Sequence, residues 1–149
     1  TYPTFFLPEN SDQFDFTKYD YVVDAIDTVT GKKEIILKAR QAGTPVISCM
    51  GAGNKVDASA FRVADIYETS VCPLARVMRK LCRQNGIDHL KVVYSQEEPL
   101  PPREDLPPEP TNGSTRRATP GSTPFAVAAA GMVAAGEVVR ELTGFRRGE

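Results

Sequence analysis

The sequence has no tryptophan, one histidine and three cysteines among its 149 residues. Cys49, Cys72 and Cys82 are odd in number and form no CxxC pair, which fits neither a disulfide framework nor the usual zinc spacing. They read as free, mostly buried thiols in a reducing compartment. The one histidine, His89, stands beside Asp88 in an apparent turn with no serine or cysteine near it in sequence, so nothing points to a nucleophilic triad. An excess of one charge sign is also missing: 18 Lys and Arg against 19 Asp and Glu leave a net charge of -1. No whole-molecule field therefore draws the chain to nucleic acid or membrane, and any such binding needs a local patch. The longest apolar stretch, residues 125–136, falls short of the roughly 20 residues a bilayer crossing requires. No basic start followed by an apolar run marks a secretory signal, so a cytoplasmic protein with no membrane partner is expected and the sequon Asn112-Gly113-Ser114 reads as coincidence. The chain starts TYPTFF without an initiator Met, which reads as a processed or truncated product.

What is present is the composition of an ordinary globular domain, 41% hydrophobic and 25% charged. A chain of this length buries roughly 68–70% of its unfolded surface, so stability demands neither disulfide nor metal. Residues 1–18 show no sustained period and read as a loop or short strand. Residues 21–26 are a short apolar run of the kind buried on both faces of a parallel sheet. From about Thr30 to Gln41 apolar residues alternate with Lys and Arg at helical spacing, with Gly43 as the stop. Residues 45–50 form the next buried strand, and strand, helix, strand within about 30 residues is a βαβ crossover. The class is α/β.

Beyond the glycine turn at residues 51–54, Val56 and residues 61–66 read as shorter strands in an antiparallel extension. Pro73 opens a helix over 73–84, stopped by Asn85-Gly86. Residues 90–95 form another strand. Residues 97–124 hold eight of the twelve prolines and read as an extended or partly disordered connection. Pro124 to about Leu142 is the last helix, with Thr123 or Ser122 as N-cap and Gly144 as its stop. The organisation expected is residues 1–96 as an α/β body, 97–124 as a connection, and 125–149 as a terminal helix packing back on that body.

Gly51-Ala52-Gly53 lacks the third glycine of a dinucleotide fingerprint, because Val56 stands in its place, and no Walker motif exists. A nucleotide's main glycine loop is therefore not in this polypeptide. Asp24 and Asp27 lie at the carboxyl end of the first strand, where open α/β sheets bind ligands. One of them could hold Mg²⁺ on a triphosphate while Lys32, one helical turn on, neutralises phosphate oxygens. Spacing alone favours the plainer role, in which Asp27 or Thr28 caps the following helix. Arg76, Arg79, Lys80 and Arg83 follow i, i+3, i+4, i+7 spacing and place four cations on one helix face. That stripe could touch RNA phosphates, although composition by itself favours a solvated face.

The ordered run Asp20 to Thr28, then Lys32, Gly43 to Ser48 and Gly51-Ala52-Gly53 resembles the carboxyl-terminal half of the ThiF/MoeB/HesA family of ubiquitin-activating-enzyme-like adenylyltransferases. Lys55-Val56-Asp57, Val63 to Thr69, Cys72-Pro73-Leu74-Ala75, Val93 to Glu97, Gly121 to Phe125 and Gly131 to Ala135 resemble its tRNA threonylcarbamoyladenosine dehydratase branch (TcdA, CsdL, YgdL). The resemblance implies part of a Rossmann-like ThiF-type fold, a mixed sheet with flanking helices. It also implies ATP-dependent adenylation of the carboxylate of tRNA threonylcarbamoyladenosine, driving its cyclising dehydration. Asp27 matches the family's Mg·ATP aspartate and Lys32 the basic residue after it, which overturns the capping preference for Asp27. ATP and Mg²⁺ are the cofactors implied, tRNA the client of the basic stripe, and a homodimer the assembly.

The glycine-rich ATP loop, the ribose-binding acid and the arginine that such families carry ahead of this region have no counterpart, so the likeness is to half an enzyme, expected to be inactive alone. The absence of zinc-binding CxxC pairs favours the dehydratase branch. The cysteine that some dehydratases carry before the last helix is replaced by Thr115-Arg116-Arg117-Ala118-Thr119, so no thiol nucleophile is expected. The alternatives are activation of a ubiquitin-like sulfur carrier protein within a sulfur relay, and a non-catalytic dimerisation or binding module.

Overall fold

The computed structural model describes residues 1–101 and 120–145. Four strands, β1 (Val22–Asp24), β2 (Val46–Cys49), β3 (Phe61–Asp65) and β4 (Lys91–Ser95), form one sheet in the order β1-β2-β4-β3. The first, second and fourth run parallel, and β3 is antiparallel to β4. Three helices, α1 (Val29–Ala42), α2 (Pro73–Gln84) and α3 (Pro124–Thr143), cover it. This is the mixed α/β sheet with flanking helices expected from the sequence.

Strand alternation decides which helix goes where. Val92 and Tyr94 of β4 point to one face and join Ile36 of α1 and Met78 of α2 in the main core. Val93 points to the other face and packs with Ile47 against Ala126, Ala130 and Ala134 of α3. Alanines at this contact let α3 lie close to the sheet. The three charges near its end are tied inward. Lys91 Nζ lies 2.8 Å from Glu137 Oε1 and also pairs with Glu141, Tyr21 donates its hydroxyl to Glu141 at 2.6 Å, and Arg140 pairs with Glu137. The Lys91 ammonium and the Tyr21 hydroxyl hold the Glu141 carboxyl below its usual range.

Helix boundaries follow local chemistry. Gly43 adopts the left-handed φ of 73° that ends α1, and Pro73 occupies the first turn of α2. Residues 1–18 contain no strand. Two 3-10 turns, Pro8–Gln13 and Phe16–Lys18, wrap α1 and bury Phe16 against Ile35 and Ala39. Val56 is not in a strand either. The Glu97 carboxylate takes the backbone N–H groups of Val56 and Asp57 at 3.1 and 3.0 Å, which removes them from ladder pairing.

β1 departs from the expected two-sided burial. Among the described residues it is an edge strand, and Val23, in register with Ile47, points to the α3 side and stays 48% exposed because α3 lies over β2, β4 and β3. Residues 97–101 and 120–123 are irregular, and α3 starts at Thr123 as N-cap. The rest of the proline-rich connection, the Asn112 sequon and the Thr115–Thr119 segment lie outside the described residues. No described helix is long and apolar enough to cross a membrane.

Gly31 marks the tightest packing point of α1. A Cβ there would sit 2.6 Å from Ile26 Cδ1, 2.7 Å from Thr28 Oγ1 and 3.0 Å from the Phe6 carbonyl oxygen. Gly31→Ala is therefore expected to lower stability by about 1–3 kcal/mol, as overpacking does. A reduced urea midpoint at unchanged slope checks this, and an unchanged midpoint contradicts the packing.

Candidate functional site

The carboxyl ends of β1 and β2 carry a fully buried polar cluster. The last residue of β1, Asp24, is inaccessible to solvent, and so is Ser48 beside it in register on β2. Lys32, in the second turn of α1, is 1% exposed and reaches back over the strand ends. Its Nζ lies 3.2 and 3.1 Å from the two Asp24 carboxylate oxygens and donates to the Cys49 carbonyl at 2.7 Å. Ser48 Oγ donates to Asp24 Oδ2, and the Ile26 N–H to Oδ1 at 3.3 Å. A buried carboxylate and a buried ammonium thus satisfy each other with three further hydrogen bonds, the condition for keeping such a pair out of water. Lys32 is committed to this cluster, so its ammonium organises the strand ends instead of standing open to solvent.

Asp27 sits three residues on, in the loop between β1 and α1, and is exposed. The N-cap of α1 is Thr28, whose side chain makes no capping bond, and Asp27 caps nothing. Among the described residues no hydrogen bond or ion pair engages the Asp27 carboxylate. Of the two aspartates read from the sequence, one is therefore buried in an ion pair and the other faces solvent at the carboxyl edge of the sheet. No described group of three or more His, Cys, Asp or Glu side chains could enclose a metal ion. A single outward carboxylate suits Mg²⁺, which keeps most of its shell as water and phosphate oxygens, and does not suit an all-protein cage.

The loop after β2 runs along the same edge and is held by Asn54 and Lys55, which lie in motifs read from the sequence but were not among its candidate site residues. Asn54 takes the left-handed φ of 57° that asparagine tolerates. Its N–H donates to the Gly121 carbonyl at 2.7 Å, its Oδ1 accepts from Gly121 N at 2.8 Å, and its carbonyl accepts from Leu100 N at 2.7 Å. One residue thus clasps the chain on both sides of the proline-rich segment. Lys55, 2% exposed, donates to the Glu97 carbonyl and fixes the next step of the loop. Gly53 must lack a side chain, because a Cβ would meet Pro120 at 2.7 Å. Cys49 lies beside the Asp24–Lys32 pair, but burial pushes its thiol pKa up and keeps it protonated.

The basic stripe on α2 divides in two. Arg76, Lys80 and Arg83 are exposed, with the Arg83 guanidinium 5.4 Å from the centre of the Tyr67 ring. Arg79 instead turns inward and donates to the Thr69 carbonyl at 2.6 Å and its hydroxyl at 2.8 Å. The spacing that put four cations on one face could not show that one of them closes the loop before its own helix. His89 pairs with Asp65 at the opposite, amino-terminal edge of the sheet. There it lines a cavity of about 320 Å³ with Tyr21, Arg40 and Lys91, away from Asp27.

No protein-family model matches the chain. A tRNA threonylcarbamoyladenosine dehydratase of Bacillus subtilis is 36% identical over 143 residues, covering 93% of this chain and 56% of its own length. The tRNA threonylcarbamoyladenosine dehydratase 2 of Saccharomyces cerevisiae is 39% identical over 92 residues, 61% of this chain and 21% of its own length. Among solved structures, the Escherichia coli tRNA N6-threonylcarbamoyladenosine dehydratase TcdA in complex with AMP superposes with a TM-score of 0.79 at 26% identity, over 96% of this chain and 56% of that one. Its complex with ATP gives the same TM-score at 25% identity. The chain thus spans about half the length of the Bacillus relative and of these structures. Similarity over nearly all of its residues, together with a shared fold, relates this protein to the tRNA threonylcarbamoyladenosine dehydratases, which are ThiF-type proteins.

Proposed function

We propose that this chain forms the metal-binding side of an ATP-dependent adenylation site that acts on the carboxylate of tRNA threonylcarbamoyladenosine. The observation that carries the reading is the Asp27 carboxylate, exposed and unengaged by the described residues at the carboxyl end of β1, next to the rigid Asp24–Lys32 cluster. Crystal structures of the related TcdA hold ATP and AMP. ATP supplies the adenylyl group that turns a carboxylate oxygen into a leaving group for ring closure. Asp27 would hold Mg²⁺ against the phosphate oxygens, where charge builds as pyrophosphate departs. Asp24, through Lys32, fixes the turn from which Asp27 projects, and in this role both are positioning residues.

In doubly wound sheets the nucleotide sits between strands that diverge at a switch point, and among the described residues β1 has a neighbour on one edge only. We assign the glycine-rich loop and its strand to the part of the relatives' length that this chain does not span. The 149 residues alone are accordingly expected to lack turnover. A tRNA substrate also agrees with a cytoplasmic site of action.

The test uses the full-length protein. Asp27→Ala is expected to reduce ATP-dependent cyclisation of threonylcarbamoyladenosine tRNA by about 100-fold or more, the order lost when a group stabilising transition-state charge is removed. Undiminished turnover would remove Asp27 from the site. ATP–pyrophosphate exchange stimulated by a ubiquitin-like carrier, and not by tRNA, would replace the substrate with a carrier protein.

For tRNA contact, Lys80→Glu with Arg83→Glu is expected to weaken binding and to reduce the salt slope of log K by roughly one per cation lost. Arg79→Ala should instead lower stability, since it removes the donors to Thr69, with little change in that slope. A salt slope unaltered by the double variant returns the stripe to a solvated face.

A further inference from the structure

The cavity at the amino-terminal edge of the sheet lies outside everything assigned to adenylation. Its volume is about 320 Å³, and it is centred on the start of β2, an interior strand between β1 and β4. Ile36 of α1, Val46 of β2, and Ile87 and Leu90 ahead of β4 give it an apolar lining. Charged groups stand around that lining, and their balance decides what it can hold. Lys91 pairs with Glu137 and Glu141, and Arg140 pairs with Glu137, so two cations match two carboxylates. Burial and the Glu141 carboxylate push the Tyr21 hydroxyl pKa up, so Tyr21 donates to Glu141 as a neutral group. His89, on the rim, is held by Asp65. The Arg40 guanidinium, in the last turn of α1, is left over, since among the described residues no hydrogen bond or ion pair engages it. The cavity therefore has one unmatched positive charge beside an apolar wall.

We propose that this cavity is a binding site for a small organic monocarboxylate, with the carboxylate against Arg40 and the apolar body against Ile36, Val46 and Ile87. Small-molecule sites run from about 300 to 1,000 Å³, so the ligand is a compact one. A guanidinium presents two parallel N–H groups that match the two oxygens of a carboxylate. Charge selects against the alternatives. A phosphate monoester carries close to two negative charges at neutral pH, and Glu141 in the same wall repels the second. An organic cation would meet Arg40 with nothing to offset the repulsion. Position separates this site from the carboxyl edge, because Arg40 stands two turns along α1 from Lys32, roughly 12 Å at 1.5 Å rise per residue. Every lining residue is described, and none belongs to β1, the strand with an open edge. The site does not rest on the adenylation reading, since it is measured without ATP or tRNA.

Benzoate is the probe, with benzamide as its uncharged counterpart and inorganic phosphate as the more highly charged anion. Calorimetric titration is expected to give saturable benzoate binding by the 149-residue chain and by the full-length protein alike. Benzamide and phosphate should bind at least about 10-fold more weakly, the order lost with a charge-assisted pair. Arg40→Gln, at an exposed position, should weaken benzoate by the same factor with unchanged circular dichroism. Asp27→Ala should leave benzoate binding as it is, which separates this site from the carboxyl edge. His89 is the one histidine of the chain, so its imidazole proton resonances report on the cavity directly. They should move as benzoate is added and stay in place in Arg40→Gln. Absence of saturable benzoate binding overturns the proposal, as does binding that Arg40→Gln leaves unaltered. Binding by the 149-residue chain with none by the full-length protein also overturns it, because the rest of the protein then fills the cavity. Equal affinity for benzamide overturns the choice of a carboxylate.

Discussion

The ion pair of Asp24 and Lys32 is the constraint from which the arrangement of the carboxyl edge follows. It joins the last residue of β1 to the second turn of α1 and, through the Cys49 carbonyl and the Ser48 hydroxyl, to the end of β2. Removing two charges from water is costly, and such a pair persists only when geometry and extra hydrogen bonds offset that cost. Here both carboxylate oxygens are engaged and the ammonium has acceptors on two strands. The turn between Asp24 and Val29 is fixed at both ends, so Asp27 has a defined place outside the core. A buried charge cluster with an exposed carboxylate three residues away is a division of labour: one acid holds the frame and the other faces solvent at the carboxyl edge.

The loop after β2 extends this frame across the edge. Lys32 fixes the carbonyl at its start, Asn54 fixes its far side to Leu100 and Gly121, and Lys55 fastens it to Glu97. The segment that leaves β2 and the one that leads into α3 therefore meet at the same edge as Asp27. The opposite edge is built differently, with Lys91, Glu137, Glu141 and Tyr21 joining strand starts to the end of α3. By drawing the charges of α3 inward, that network leaves its outer face uncharged.

Much of the frame was legible in the sequence because period and punctuation carried it. Pro73 and Asn85-Gly86 bracket α2 at the residues the structure gives, and Gly43 and Gly144 end their helices in the left-handed conformation expected. The site was legible in part. Asp24-Ala25-Ile26-Asp27 shows two acids near a strand end, but which one is buried depends on where Lys32 and Ser48 arrive in three dimensions, and no local pattern encodes that. The same holds for Arg79, whose helical spacing groups it with Arg76, Lys80 and Arg83 while its guanidinium is taken by Thr69. β1 read as buried on both faces because Val22 and Val23 are both apolar. Burial of Val23 requires a neighbour on its edge and face, and among the described residues it has none.

A double-mutant cycle on Asp24 and Lys32 tests the central claim most directly. Asp24→Asn and Lys32→Met, measured singly and together by urea unfolding, should each cost about 3–5 kcal/mol by stranding the other charge in the core. The double variant should lose less than the sum of the two, with a coupling energy of about 1–3 kcal/mol. Small and additive losses would contradict the account, because they would mean that the two charges are solvated and that the edge carrying Asp27 is held by something else.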